Sequence, residues 1–406
     1  MQRGKLRPGS LRLLIIQRRR VTLAAAVALF AVVGSGPIDA HENRALAGYA
    51  LLGPDFASGK VDAGLKEAVE SRARTFLRQK PRPATHIHIE GISSGQAHAP
   101  GVTAQAAAST AQIEADKSSL RDMEAMFDLA LAWRLSGEKT FLRQAIRYID
   151  AWVSVYEPSF NPIDEGRFDK LILAYDLVER SAPAATRAKV DSFLRKMASG
   201  YIAAMETGDV PIKPTLTNNW QSHRIKLATL AAYQIGDAGL ITRANTLFER
   251  QVEANLRPDG STLDFAQRDA LHYVNYSLSS QLMAALAAQS HGADWYGYRG
   301  SEGRSLPRTL DWLGVFASGQ QLHVEFVKSV VPYDRQRAAA GGSTYQNKPW
   351  DPATSQQLFA MAAKLDPKLQ PLAARLHAQA AARPGLAIDE TGPGEWLAIL
   401  NMEPVR

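Results

Sequence analysis

The stretch 219–256, which reads NWQSHRIKLATLAAYQIGDAGLITRANTLFERQVEANL, decides the fold. Apolar residues recur at helical spacing through Ile225, Leu230 and Tyr233, and a second helical segment begins soon after Gly236. A glycine directly after such a segment is a typical helix C-cap. The stretch therefore predicts two antiparallel helices joined by a tight turn.

The same pattern, a helical segment followed directly by a glycine, recurs along the chain. Glycines end Ala- and Leu-rich helical segments in LSGE at 135–138 and in SHGA at 290–293. Successive hairpins that each expose one apolar face must stack on their neighbours. The predicted fold class is all-α, an incomplete (α/α) toroid of stacked helical hairpins, with a globular bundle as the alternative. Helical periodicity predicts helices over about 119–137, 140–156, 167–180, 184–205, 219–235, 238–256, 265–290, 306–317, 353–364 and 368–382.

The N-terminal 40 residues have the layout of a secretory signal. Three arginines at 18–20 precede an apolar run at 21–33, and the small residue Ala40 follows. The run is too short for a permanent transmembrane helix, although a membrane anchor is the alternative. We expect a signal peptide at 1–40, no stable membrane anchor, a periplasmic or secreted location, and one domain at 41–406.

Charge and cysteine content exclude several classes of protein. The net charge is +7, but residues 1–40 carry seven of the 47 Lys/Arg and one of the 40 Asp/Glu, which leaves +1. No basic tract interleaved with aromatic residues remains, so a nucleic-acid partner is not expected. The absence of cysteine excludes disulfides and thiolate metal sites. An anionic substrate would have to be attracted locally, within a cleft.

Two histidines lie in the segment THIHIEG at 85–91. Its alternation is typical of a short strand with His86 and His88 on one face. Zinc would need a third ligand, and none follows at a recognisable spacing, so no metal site is predicted. We expect the segment at the edge of a groove, with His88 touching substrate.

Two adjacent carboxylates, Asp164 and Glu165, lie between two predicted helices. A glycoside hydrolase needs an acid and a base across a bond from each other, which neighbours on a loop rarely achieve. The interpretation favoured from sequence is negative charge at a helix N-terminus.

Amide and imidazole groups gather at the start of the helix predicted at 219–235. Asn218 and Asn219 precede Trp220, and His223 follows one turn later. A helix start offers free backbone N–H groups, so a carboxylate would bind there. Simple N-capping by the asparagines is the alternative.

A second polar set falls on the helix predicted at 265–290. Arg268, His272 and Tyr276 follow at i, i+4 and i+8, which places them within roughly 80° of one face. Three polar groups in register favour a functional face. A surface ion pair between Asp264 and Arg268 is the alternative for those two residues.

These two segments resemble the signature regions of the alginate lyase superfamily of α/α-toroid enzymes, the mannuronate lyases especially. The resemblance lies in the Asn218-Asn219 pair with its nearby Trp and His, and in ALHYVNYSL at 270–278. It extends more loosely from about 117 to 290 and includes 161–165. In two places this chain departs from the family: Asn-Asn-His reads Asn-Asn-Trp, and the arginine stands one residue earlier.

The resemblance implies a role for each matching residue. Asn219 would neutralise the substrate carboxylate, with either His223 or nothing at the adjacent site. Arg268 would assist, and Tyr276 would act on the proton, with Tyr273 as a rival base. The other polar and aromatic side chains of the two segments would bind sugar: Asn218, Trp220, His272 and Tyr273.

The chemistry of these groups suits the elimination that the family implies. A proton α to a uronate carboxylate is weakly acidic, so amide and cationic donors must accept the developing charge. A tyrosine with a pKa near 10 needs a cation such as Arg268 or His272 to favour its phenolate. The same phenol can then protonate the leaving oxygen. No cofactor is required.

The sequence thus predicts a metal-independent polysaccharide lyase that cleaves a uronic acid polymer by β-elimination, with alginate or polymannuronate favoured. One alternative is an α/α-toroid glycoside hydrolase that uses Asp164, Glu165 or Asp264. The other is a non-catalytic toroid for polysaccharide binding or export. The oligomeric state stays open.

Overall fold

The computed structural model describes residues 48–53, 56, 63–210, 213–383 and 399–400. Within these ranges the regular structure is helical, and strand pairing is limited to three isolated bridges. No helix in these ranges is long and apolar enough to cross a membrane. The predicted signal peptide lies outside the described residues.

The α-helices are α1 (Ala63–Phe76), α2 (Ser94–Ala97), α3 (Thr110–Ser119), α4 (Arg121–Ser136), α5 (Lys139–Val155), α6 (Phe168–Val178), α7 (Ala184–Thr207), α8 (Asn219–Gln234), α9 (Ala238–Asn255), α10 (Leu263–Arg268), α11 (Leu271–Ser290), α12 (Leu306–Ala317), α13 (Pro332–Ala339), α14 (Gln356–Leu365) and α15 (Gln370–Ala381).

The helices form an inner and an outer layer. Every residue of α6 is buried, and in α8 only Trp220 escapes full burial, whereas the buried residues of α5 form one stripe. The inner helix α8 packs against its inner neighbours α6 and α11 and against α7 and α9 outside. This alternation confirms the all-α toroid of stacked hairpins that the sequence predicts.

The single helix predicted at 265–290 is two helices in the structure. Asp269 has φ 51°, in the left-handed region, and it separates α10 from α11. Aspartate tolerates this conformation better than most residues. Here a distant loop stabilises the break, because the Asp269 carbonyl accepts from the N–H of Phe326 at 2.8 Å and its Oδ2 accepts from the N–H of Lys328 at 2.8 Å.

The prediction of a short strand at 85–91 is also wrong. It is irregular, and two buried carboxylates hold its backbone instead of a neighbouring strand. Asp116 accepts from the N–H of His88 at 2.9 Å, and Asp164 accepts from those of Ile89 and Glu90 at 2.7 and 2.8 Å. The alternation of apolar and polar residues at 85–91 therefore reflects an irregular, half-buried segment and not a strand paired in a sheet.

At the C-terminal ends of the inner helices, residues 48–52 are latched to the toroid. The fully buried Asp176 accepts the N–H groups of Ala50, Leu51 and Leu52 at 2.6, 2.9 and 2.8 Å. The Tyr49 hydroxyl donates to the carbonyl of Ser290 at 2.8 Å. These contacts tie the segment to α6 and α11, on the far side from the helix starts.

Asp176→Ala should lower the free energy of unfolding by about 3 kcal/mol or more, since it leaves three buried N–H groups without an acceptor. Chemical denaturation measures this change. Asp191→Ala, at an exposed position on α7, is the control and should change stability by less than about 0.5 kcal/mol. Equal, small changes in both variants would contradict the latch.

Candidate active site

A cleft of about 530 Å³ lies at the N-terminal ends of α6, α8 and α11. It contains seven of the nine side chains that the sequence assigns to a site, whereas His223 and His88 lie outside its lining. The lining residues are Glu90, Ile163, Thr215, Asn218, Asn219, Trp220, Arg268, His272, Tyr273, Tyr276, Tyr333, Arg337 and Tyr345.

Asn219 is fixed at the start of α8. Its Nδ2 and its backbone N–H both donate to Oδ1 of the buried Asp264, at 2.7 and 3.2 Å. The second oxygen of Asp264 accepts from Asn255 at 2.8 Å, so the carboxylate is a rigid support. Asn218 does cap the helix, as the alternative interpretation has it, because its Oδ1 accepts from the N–H of Trp220 at 3.0 Å.

His223 lies beneath the cleft and not on its wall. Its exposed fraction is 2%, and neither ring nitrogen has a hydrogen-bond partner within the described part of the chain. Burial, together with the nearby Lys226 ammonium, holds the pKa of this imidazole well below its usual range, so the ring is neutral. Its centroid is 4.0 Å from that of Tyr276, while Trp220 stands at the surface beside Asn219.

Tyr276 and His272 share the cleft-facing side of α11, as predicted. Their rings are nearly parallel, at 7°, with centroids 6.2 Å apart. Glu325 caps this helix by accepting the N–H groups of Leu271 and His272 at 2.7 and 2.9 Å. The first turn of α11 is therefore held by a residue 54 positions later in the chain.

Arg268 does not continue this face, which corrects the i, i+4, i+8 prediction. The break at Asp269 places it at the end of α10, where it pairs with Asp334 on α13. Its guanidinium carbon is 4.0 Å from the ring centroid of Tyr273. The surface pair with Asp264 is replaced by these contacts, and Asp264 supports Asn219 instead.

Tyr273 is poorly suited to act as the base. It is 8% exposed, and its hydroxyl is 3.2 Å from that of Tyr345. Burial raises the pKa of the phenol well above 10, with only partial compensation from Arg268. Of the two phenols on α11, Tyr276 is the more exposed one.

Six lining residues were not assigned to a site from sequence: Glu90, Ile163, Thr215, Tyr333, Arg337 and Tyr345. Three of them belong to 318–352, a stretch between two predicted helices. A long irregular stretch inside a compact domain often carries function. The length of this stretch could have indicated a functional segment, but it does not specify which side chains enter the cleft.

The carboxylates proposed for a hydrolase are structural. Glu165 accepts from Tyr156 at 2.8 Å and from Tyr201, and burial raises its pKa. Asp164 holds the 89–90 backbone, and Asp264 holds Asn219. All three are buried, and among the lining residues that the structure describes Glu90 is the one carboxylate. The helix-charge interpretation of Asp164 and Glu165 is replaced by these hydrogen bonds to loops and phenols.

His88 is half-exposed, and its Nδ1 is 3.4 Å from Asp164. In the described ranges, no group of three or more His, Asp or Glu side chains is arranged to hold a metal ion.

Comparisons with known proteins agree with the all-α fold. Residues 38–323 match the family "Alginate lyase". An alginate lyase structure from Bacteroides ovatus aligns with a TM-score of 0.56 at 18% identity, covering 83% of this chain and 93% of that one. Alginate lyase A1-III from Sphingomonas species A1 aligns at 0.50 and 17%, covering 82% and 92%.

A protein named polysaccharide lyase, from Stenotrophomonas maltophilia strain K279a, is 27% identical over 184 residues. That match spans 43% of this chain and 53% of the relative, so about half of its length. The fold and the relatives are those of polysaccharide lyases, and with the family match over most of its length this chain belongs to the alginate lyase family.

Proposed function

We propose that the protein is a polysaccharide lyase that cleaves a uronic acid polymer by metal-independent β-elimination, with alginate or polymannuronate as the favoured substrate. The observation that carries this proposal is the convergence on one cleft of Asn219, the first residue of α8, and Tyr276, in the second turn of α11. Arg268 adds a fixed cation to the same wall.

In the proposed reaction the carboxylate of the reacting sugar binds at Asn219, where the start of α8 favours negative charge. As the α-proton leaves, negative charge moves onto that carboxylate, and a preoriented amide stabilises it. Asp264 keeps the amide in place without reaching the cleft itself.

Tyr276 takes the proton and returns it to the departing glycosidic oxygen. A single phenol can do both when the proton and the leaving group lie on one face of the sugar. A protonated His272, nearly parallel to the phenol ring, would favour its ionisation. The neutral His223 beneath Tyr276 acts as a positioning residue for that ring.

The structural neighbours support an oligosaccharide ligand. A His-to-Ala variant of A1-III, described in complex with a tetrasaccharide, aligns with a TM-score of 0.51 at 16% identity over 86% of this chain. The signal-like N-terminus supports export, and we place the reaction in the periplasm or outside the cell.

Incubation with polymannuronate, polyguluronate, pectate and glucuronan tests the class of reaction. Elimination leaves an unsaturated sugar, so ultraviolet absorbance should rise with at least one polymer. New reducing ends without that absorbance would indicate a hydrolase. Neither signal, combined with retained polymer binding, would indicate a scaffold.

A further inference from the structure

Arg337 is a second cation in the cleft, and no carboxylate within hydrogen-bond distance neutralises it in the described part of the chain. Its Nε is buried and has no hydrogen-bond partner within the described residues. Its Nη2 is 3.9 Å from Oε1 of Glu90, which is an ion-pair distance but too long for a hydrogen bond. Arg268, by contrast, hydrogen-bonds to Asp334.

Two phenol rings flank the Arg337 guanidinium. Its central carbon is 5.3 Å from the ring centroid of Tyr333 and 5.8 Å from that of Tyr345. Aromatic faces beside a hydrogen-bonding cation are suited to a sugar ring that carries a carboxylate, because the ring packs on the aromatic surface while the charge meets the guanidinium.

Glu90 provides a carboxylate next to Arg337 without satisfying it. Its backbone N–H is held by Asp164 at 2.8 Å, so the residue cannot approach α13 freely. The helix that carries Arg337 is held separately, because Gln336 of α13 accepts from the backbone N–H of Thr103 at 2.6 Å. The two charges therefore face each other from supports that are anchored separately.

We propose that Arg337 binds the carboxylate of a second uronate residue of the polymer, next to the one that reacts, and that Glu90 competes for this position. A uronate carboxylate can accept two parallel hydrogen bonds from the guanidinium fork, which Glu90 does not do at 3.9 Å. A neutral sugar would offer no such partner. The inference rests on the proposed function and specifies the substrate as a chain with a carboxylate on adjacent sugars.

Calorimetric binding of a mannuronate hexamer to the Tyr276→Phe protein, which we expect not to turn it over, tests this inference. Adding Arg337→Gln should weaken binding by about 10- to 100-fold, as for loss of a hydrogen bond to a charged group. Adding Glu90→Gln should instead strengthen it several-fold, since a competitor is removed. A β-1,4-mannose hexamer, which lacks carboxylates, should respond to neither change. Arg335→Gln, at an exposed position on α13, is the matched control for loss of one positive charge.

Opposite effects of the two substitutions separate a binding role from a structural one. If Glu90→Gln and Arg337→Gln both weaken binding and both lower the melting temperature, the pair is structural and the inference is wrong. Unchanged hexamer affinity in Arg337→Gln, or no hexamer binding before that change, would also overturn it. The proposed function is tested separately: it fails if the wild-type protein gives no unsaturated product with any of the polyuronates.

Discussion

Tyr276→Phe is expected to abolish elimination while polymer binding persists. The change removes one hydroxyl from a ring that keeps its neighbours His223 and His272. Without that hydroxyl, the helical face keeps His272 but loses the phenol that is proposed to take the proton and return it to the leaving oxygen. Turnover followed by ultraviolet absorbance, with affinity measured in parallel, checks this result.

Tyr273→Phe is the matched control for that experiment. Tyr273 loses only a 3.2 Å contact with the hydroxyl of Tyr345, and its ring still packs under Arg268. Measurable turnover should remain. An active Tyr276→Phe protein together with an inactive Tyr273→Phe protein would reverse the assignment of the two phenols.

Asn219→Ala should lower kcat by a factor on the order of a hundred, the range seen when one donor to a developing negative charge is lost. The amide is already oriented by Asp264, so its contribution to the transition state requires no reorganisation. Steady-state kinetics on the polymer that gives unsaturated product measures the change.

Asp264→Asn distinguishes catalysis from folding at the same place. It keeps the shape of the support but leaves one acceptor oxygen for the donors of Asn219 and Asn255, so the Asn219 amide should be held less firmly and kcat should fall. For Asn219→Ala, a loss of thermal stability in proportion to the loss of activity would mean that Asn219 has a structural role at the start of α8 and no role in catalysis. Stability that is largely retained with kcat strongly reduced is the expected pattern.

The helices could be predicted from sequence because their signals are local. Apolar periodicity and a following glycine mark α8 and α9, and the structure places their bounds within one residue of the prediction. The roles of Asn219 and Tyr276 followed from the family resemblance, and for Asn219 also from its position at a helix start.

The break between α10 and α11 could not be predicted, because its causes are distant. Nothing next to Asp269 demands a left-handed residue, and the N–H groups that stabilise it belong to Phe326 and Lys328. For the same reason Arg268 was assigned to the wrong helical face. The burial of His223 depends on how Tyr276 covers it, which residue spacing on α8 does not reveal.

The cap that Glu325 places on α11 also determines when the cleft can exist. Glu325, Phe326 and Lys328 come 53 to 59 residues after their hydrogen-bond partners. Tyr333, Arg337 and Tyr345 follow later still along the chain. A chain emerging from synthesis or export can stack its early hairpins through local contacts, but the walls of the cleft close only once this late segment is available. The order of the sequence thus makes the cleft one of the last features to form.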